Sequence, residues 1–258
     1  MYKINIALIQ ETWLKDEDKL KLQHLKIFRN DRMAGAGGVA IGLTTGINYK
    51  RIKFNMTNQQ IEIIALKLTF KDKTHLDIAS VYVPPLSIMS IRDVQQIVGQ
   101  LSRPFIICGD FNAKSAEWGC YDENEKGRTL MEACDELNMT IINDGVATHP
   151  QKPPRQSSVI DLAIVSDDIA LSFSFKVIPN SCGSDHLPCQ VKHNDLHNNT
   201  AKQRVEVVSI CVKKFRENVC NINFVHFIQM IYCWHSFFDA MNILREDIYF
   251  FDGVTHHS

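Results

Sequence analysis

The sequence predicts an α/β protein built as a four-layer sandwich, two packed mixed β-sheets with helices on their outer faces. Three observations predict it. Short apolar runs bounded by Gly, Pro or polar turns recur along residues 1–192, and most adjoin one another in sequence, as the strands of mixed sheets do. Only two stretches there carry apolar residues at helical spacing. Several of the apolar runs also end on an acid, amide, tyrosine or histidine, the mark of a sheet edge that carries a site. With 258 residues, 45% apolar and 22% charged, the chain has room for one large domain or two small ones and is not a fibre, a disordered chain or a disulfide miniprotein.

Taken in order, residues 3–10 alternate in polarity and then become continuously apolar, the pattern of a strand inside a sheet, and stop at Glu11-Thr12-Trp13. Gly35-Ala36-Gly37-Gly38 is a turn that runs into a short strand over 39–42. Residues 61–70 and 75–83 are two strands joined by the turn Lys71-Asp72-Lys73-Thr74, and Pro84-Pro85 stops the second. Apolar positions 88, 91, 94, 97, 98 and 101 then predict a helix over 87–101. The wholly apolar run 104–108 reads as a buried strand whose end delivers Gly109-Asp110-Phe111-Asn112 to a sheet edge. A helix over 127–137 places Leu130, Met131, Cys134 and Leu137 on one face. Brief strands follow at 140–142, 159–165, 173–178 and 187–191, with a proline-rich loop over 143–157 and the polar segment Ser181-Cys182-Gly183-Ser184-Asp185-His186 between them.

Lys plus Arg number 28 and Asp plus Glu 29, so no overall field draws the chain to nucleic acid or anionic lipid, and any such contact must be local. The local candidates are Lys50-Arg51-Ile52-Lys53 and residues 152–155, each of which also reads as ordinary solvated surface. Eight cysteines form no C-x-x-C pair and no secretory signal opens the chain, which points to free thiols in a reducing, intracellular compartment. The gaps between Cys211, Cys220, His226, Cys233 and His235 are too long and irregular for a compact zinc module.

Glu11, Tyr82, Asp110 with Asn112, Asp161, and Asp185 with His186 all stand where an apolar run ends or begins. One strand-end Asp is usually a turn or cap residue; five such ends fit loops that converge. The chemistry that needs them together is phosphodiester hydrolysis. A hard divalent ion takes a carboxylate or two plus water and phosphate oxygens, so Glu11 suits Mg2+ or Mn2+. Asp110 aligns or deprotonates a water, Asn112 donates to phosphate, and Tyr82 supplies a phenol donor. His186 binds or protonates a phosphoryl oxygen if Asp161 holds its other nitrogen.

Gln10-Glu11-Thr12, Gly37-Gly38-Val39, Val81-Tyr82-Val83-Pro84-Pro85, Gly109-Asp110-Phe111-Asn112-Ala113, Ser158-Val159-Ile160-Asp161 and Ser184-Asp185-His186-Leu187-Pro188, in this order, resemble the endonuclease/exonuclease/phosphatase family across residues 1–192. Gln10-Glu11-Thr12-Trp13, Gly127-Arg128, Asn143-Asp144-Gly145 and Thr148-His149-Pro150 most resemble, within it, the endonuclease domains of non-LTR retrotransposons, which nick DNA to prime reverse transcription. The resemblance implies Glu11 as metal ligand, Asp110 as the residue that activates or positions water, and Asn112 and Tyr82 on the phosphate. It also implies an Asp161–His186 pair at the scissile group and Asp185 in support of metal or histidine. Thr148, Arg128 and Ser158 then stand where relatives contact DNA or brace the site. It further implies DNA as partner and a nuclear location, with no stable membrane association and no oligomer expected.

Two departures shape the expectation. The first strand and helix of the family, with an active-site asparagine, are missing ahead of residues 3–10, which leaves the paired edge of that strand exposed and weakens the site. Beyond 192, a polar linker over 194–203 leads to a tail, 193–258, of unknown role, in which 10 of the 23 aromatic residues crowd into the last 66 positions. Its stretch 221–244 reads as an amphipathic helix with a wide apolar face, too polar for a membrane span. The leading expectation is a metal-dependent DNA endonuclease; a DNA- or protein-binding remnant without activity and a phosphatase of the same fold stay open as alternatives.

Overall fold

A computed structural model describes residues 5–15, 18, 20, 25–32, 37–181, 183–194 and 206–211. In chain order these form β1 (Ile6–Gln10), β2 (Leu25–Asn30), β3 (Val39–Thr44), β4 (Asn48–Ile52), β5 (Glu62–Thr69), β6 (His75–Tyr82), α1 (Ile91–Val98), β7 (Phe105–Asp110), α2 (Glu125–Leu137), β8 (Met139–Ile141), β9 (Asp161–Ser166), β10 (Phe173–Val177), β11 (Cys189–His193) and β12 (Glu206–Cys211), with short 3-10 turns at Ala116–Trp118 and Asp167–Ser172. They build two six-stranded sheets, ordered β10-β11-β12-β1-β3-β2 and β4-β5-β6-β7-β9-β8. Each sheet is mixed: β1 runs parallel to β12 and β6 parallel to β7, while the other neighbours are antiparallel.

Side-chain alternation explains the layering. Along β6, Leu76, Ile78 and Tyr82 face the first sheet and join Ile6, Leu8, Ile41, Leu43 and Val207 in one buried cluster. The intervening Ala79 and Val81 point the other way, into a second cluster with Val94 and Ile97 of α1 and Leu130 and Ala133 of α2. Both described helices therefore cover the outer face of the second sheet; among the described residues no α-helix covers the first, where helices were also expected. Burying each large aliphatic side chain in these clusters contributes about 1.5–3 kcal/mol, which is what draws the two sheets together.

The helices start where their caps are. Ser90 Oγ accepts the Asp93 amide and the Asp93 carboxylate accepts the Ser90 amide, a reciprocal capping box that opens α1 four residues later than expected. The Asn124 side-chain oxygen Oδ1 accepts the Gly127 amide at 2.9 Å and starts α2 two residues earlier than expected. Gly127 has to be glycine for a different reason: a Cβ there would lie 1.9 Å from the Lys114 carbonyl oxygen, so the close seat of α2 on that loop admits no side chain.

Three strands were not expected from the sequence. β2 and β4 sit at sheet edges, and β4 carries Lys50 and Arg51 on an exposed strand, which accounts for half of the suspected basic surface as charged protection of an open edge. The third, β12, corrects an expectation outright. Over Ile6–Gln10 the edge expected to be open is paired: β12 lies along it in parallel, Ile6 opposite Val207 through Gln10 opposite Cys211, and is itself held on its other side by β11. All five β1 residues are accordingly buried. Part of the tail thus supplies a central strand. The stretch 221–244 and the Cys/His residues beyond Cys211 lie outside the described residues. Cys108, Cys120, Cys134 and Cys189 are free thiols. Among the described residues no helix is long and apolar enough to cross a membrane.

Candidate active site

The strand directions bring the expected polar residues to one edge of the sandwich. Glu62, Tyr82, Asp110 and Asp161 stand on four adjacent strands as successive opposite neighbours, a row across the second sheet. From the first sheet, β1 ends at Gln10 and hands Glu11 to the same edge, and His186 lies three residues before β11.

Glu11 is buried and has a left-handed backbone, φ 50°, as do Trp13 at 52° and Asn112 at 47°. Such non-glycine conformations cost about 1–3 kcal/mol each and gather at functional sites. The glycine turn holds the first of these loops: the Thr12 and Trp13 amides donate to the Gly38 and Gly37 carbonyls at 3.1 and 2.7 Å, and Trp13 Nε1 donates to Glu11 Oε2 at 3.1 Å. A Cβ at Gly38 would strike the Thr12 hydroxyl at 2.4 Å, which is why the two motifs occur together. Glu62, not expected from the sequence, accepts the Gly38 amide and an Arg32 guanidinium N–H, the latter at 3.2 Å, and so ties this turn to the second sheet. Burial is the main cause that raises its carboxyl above the usual range.

The Asp110-Phe111-Asn112 stretch is an Asx turn, with the Asn112 amide donating to Asp110 Oδ1 at 3.0 Å. The Asn112 side-chain amide donates to the Val83 carbonyl at 3.1 Å, so it is anchored to the segment that follows Tyr82. Asp110 and Asp161 are opposite neighbours on β7 and β9, where like charges repel. Burial first and the Asp161 charge second push the Asp110 carboxyl up to about 8, with Glu11 adding to the rise and His186 opposing it.

His186 is buried, and its Nδ1 meets Asp161 Oδ2 at 2.8 Å. Burial opposes its protonation, but the Asp161 charge and hydrogen bond, with Asp110 and Asp185, outweigh it and lift the imidazole to about 9. Asp161 takes Nδ1, so Nε2 is the ring nitrogen left for a ligand. One atom of each of Asp110, Asp161 and His186 falls within 4.8 Å of the others, and so do atoms of His149, Asp185 and His186. Glu11 belongs to neither trio but acts electrostatically on Asp110.

Thr148 proves to be a brace. It is fully buried, and its hydroxyl oxygen accepts the amides of Ile160 and Asp161, both at 3.1 Å, while its carbonyl accepts the Leu187 amide at 2.7 Å. One residue therefore fixes the backbone on both sides of the Asp161–His186 pair. Ser158 is buried beside it, bridged through its backbone to His149. Arg128 does not join the centre: it is exposed and pairs with Glu125 at 2.6 Å, as in an ordinary helix surface pair.

Two further residues were not singled out by the sequence. The His149 ring stacks on His186 with centroids 4.5 Å apart, and a pocket of about 630 Å³ opens beside it toward Asp185, Lys152 and Arg155. Lys126 is buried and donates to the Pro84 and Pro85 carbonyls at 2.6 and 3.0 Å; burial draws its pKa down, against the Asp110 charge. A lysine in the first turn of a helix carries no sequence signal of burial, and His149 stood only inside a quoted motif.

The donor set suits a hard divalent cation. Carboxylate oxygens predominate, and Asp161 Oδ1 and Asp185 Oδ1 are buried with no hydrogen-bond partner. Three carboxylates, Asp161, Asp110 and Asp185, act on His186, and Glu11 acts on Asp110, an arrangement that a cation would relieve.

Residues 76–190 match a family model described as endonuclease-reverse transcriptase. The chain is 25% identical over 197 residues to the probable RNA-directed DNA polymerase from transposon BS of Drosophila melanogaster, covering 72% of this chain and 21% of that protein. It is 22% identical over 201 residues to the RNA-directed DNA polymerase from mobile element jockey of Drosophila funebris, covering 76% and 21%. The chain thus spans about a fifth of the length of the curated relatives it matches. Among solved structures, the endonuclease domain of TRAS1, a telomere-specific non-LTR retrotransposon, superposes with a TM-score of 0.61 at 19% identity, covering 75% of this chain and 87% of that one. An AP endonuclease from Archaeoglobus fulgidus follows at 0.54 and 14%, covering 74% and 89%. At these identities the structures establish a shared fold.

Proposed function

We propose that this chain, which has the fold of the retrotransposon and AP endonucleases and matches the endonuclease-reverse transcriptase family over residues 76–190, is a metal-dependent phosphodiesterase that nicks DNA. The observation that carries the reading is the buried trio of Asp110, Asp161 and His186 at the edge where Glu11, Tyr82 and Asn112 also arrive. Neither the fold nor the match fixes the substrate, so DNA rests on what the similar proteins act on.

The residues divide the work by their chemistry. Asp110, opposite Asp161 across the strand pair, aligns or deprotonates the attacking water. His186, held protonated by Asp161, presents a charged donor to a phosphoryl oxygen where negative charge develops. Asn112 and Tyr82 orient the phosphate. Glu11 and Asp185 are the residues that would hold Mg2+ or Mn2+; when bound, such an ion neutralises charge on the phosphoryl oxygens and polarises the phosphorus. Lys152 and Arg155, beside Asp185 in the open pocket, suit the backbone of a DNA strand that runs past the cut. A genomic DNA substrate implies a nuclear location, in keeping with free thiols.

The experiment is supercoiled plasmid incubated with purified protein and Mg2+, alongside Asp110→Ala, with an inositol phosphate as competing substrate. The expected result is relaxation of the plasmid by the parent chain and loss of about 10²–10⁴-fold in the variant, the usual worth of a positioned acid-base group. Faster turnover of the inositol phosphate than of plasmid would overturn the assignment.

A further inference from the structure

Among the described residues, a chain of buried side-chain hydrogen bonds crosses between the two sheets directly beneath the catalytic edge. Ser209 Oγ of β12 donates to Gln10 Oε1 at 3.3 Å; Gln10 Nε2 of β1 donates to Ser80 Oγ of β6 at 2.8 Å; and Ser80 Oγ donates to the Ile9 carbonyl at 3.1 Å. All three side chains are buried, Gln10 and Ser80 completely. Each hydroxyl or amide in the series has a partner, so the chain is closed and its members polarise one another.

Three polar side chains in this place are not needed to hold the sheets together. Apolar residues of similar size in all three positions would bury as much surface without the desolvation cost, and replacing both partners of a buried hydrogen bond by apolar groups is close to neutral, with the Ile9 carbonyl the one group of the series left in place. What the chain adds is direction. Gln10 is the residue before Glu11, and Ser80 lies two before Tyr82 on the strand of the opposite sheet. Apolar contacts tolerate a slide of one sheet over the other; a hydrogen bond of 2.8 Å across the gap does not. Ser209 adds a second fixed point, holding the Gln10 amide oxygen while Ser80 holds its nitrogen, and it stands opposite Leu8 on one side and Cys189, three residues past His186, on the other.

We infer that Ser209, Gln10 and Ser80 are positioning residues that set Glu11 of the first sheet at its height against Tyr82 of the second, and that β12, through Ser209, is part of the machinery of the site. The inference rests on the proposed function, because it assigns Glu11 to the divalent ion. It places the dependence on a strand that lies beyond the region of family resemblance.

The test is Mn2+ affinity read by electron paramagnetic resonance on the full chain, without substrate, for the parent, for Ser209→Ala and for the triple variant Gln10→Met with Ser80→Ala and Ser209→Ala. Urea unfolding and plasmid nicking are measured on the same samples. The triple variant is expected to unfold within error of the parent or later, yet to bind Mn2+ about tenfold more weakly, the lower end of what groups that support a metal ligand contribute, and to nick correspondingly slowly. Parental Mn2+ affinity in a stably folded triple variant would overturn the inference, as would a loss of affinity that tracks loss of folding across both variants. A parent chain that binds Mn2+ and loses affinity as stated but nicks no DNA would overturn the proposed function and leave the positioning role standing; a parent that binds no Mn2+ would overturn both.

Discussion

Thr148→Val removes one oxygen and keeps the shape, and the structure says what that oxygen does. It accepts two backbone amides, Ile160 and Asp161, each at 3.1 Å in a fully buried setting. The valine methyl leaves both donors without that acceptor. A buried donor that loses its acceptor costs about 1–3 kcal/mol, and the two together cost about 2–5 kcal/mol once partial relaxation is allowed. For a domain of this size that lowers the melting temperature by about 5–15 °C. Activity is expected to fall further than folding does, because the second amide belongs to Asp161, whose carboxylate sits 2.8 Å from His186. Thr148→Ser keeps the oxygen and is expected to stay within about 1 kcal/mol of the parent, since it loses only a buried methyl. The assay is urea unfolding of the three proteins with nicking measured well below the transition. A valine variant as stable and as active as the serine variant would refute the reasoning, since it would mean that the oxygen bears no load.

Other outcomes follow from the same geometry. In the metal-free protein, His186 has a folded pKa raised from 6.5 to about 9, so it binds its proton more tightly folded than unfolded. Its contribution, at most about 3 kcal/mol, is complete below about pH 6.5 and is lost as pH climbs through 9, so the stability gap between the parent and His186→Asn should close over that window in pH-dependent unfolding. Gly127→Ala, which in an open helix gains about 1 kcal/mol, should here destabilise by about 1–3 kcal/mol or more, because the new Cβ would fall 1.9 Å from the Lys114 carbonyl oxygen. Saturating Mg2+ should raise the melting temperature by about 5–10 °C at a hundredfold excess over its dissociation constant, and chelation should reverse the shift and stop nicking.

The apolar runs carried most of the fold into view, because a strand buried on both faces reads as a largely apolar run, and six strands, β1, β3, β5, β6, β7 and β9, are buried along nearly their whole length. β2 and β4 escaped for the complementary reason. They are edge strands whose mixed or polar sequences reflect solvent on one side, and no periodicity marks them. β12 escaped because its neighbour in space, β1, lies about two hundred positions away, and pairing at that separation leaves no local trace; its insertion also removed the exposed edge that the sequence implied. The site was legible wherever an acid or imidazole had to stand at a strand end, as with Asp110, Asp161 and His186. It was less legible where a residue acts through the backbone. For Thr148 the sequence left DNA contact and bracing both open until its hydroxyl is seen holding Asp161, and nothing in the sequence singles out Lys126, whose amine is found on two carbonyls.

The central claim is that Asp161 and His186 act as one unit on the scissile phosphodiester, and a double-mutant cycle in single-turnover nicking of supercoiled plasmid tests it most directly. Asp161→Asn, His186→Asn and the double variant should each lose about 10²–10⁴-fold, with the double variant no slower than the worse single one, because residues that work as a unit do not add. Losses that multiply in the double variant, or nicking that survives both substitutions, would contradict it.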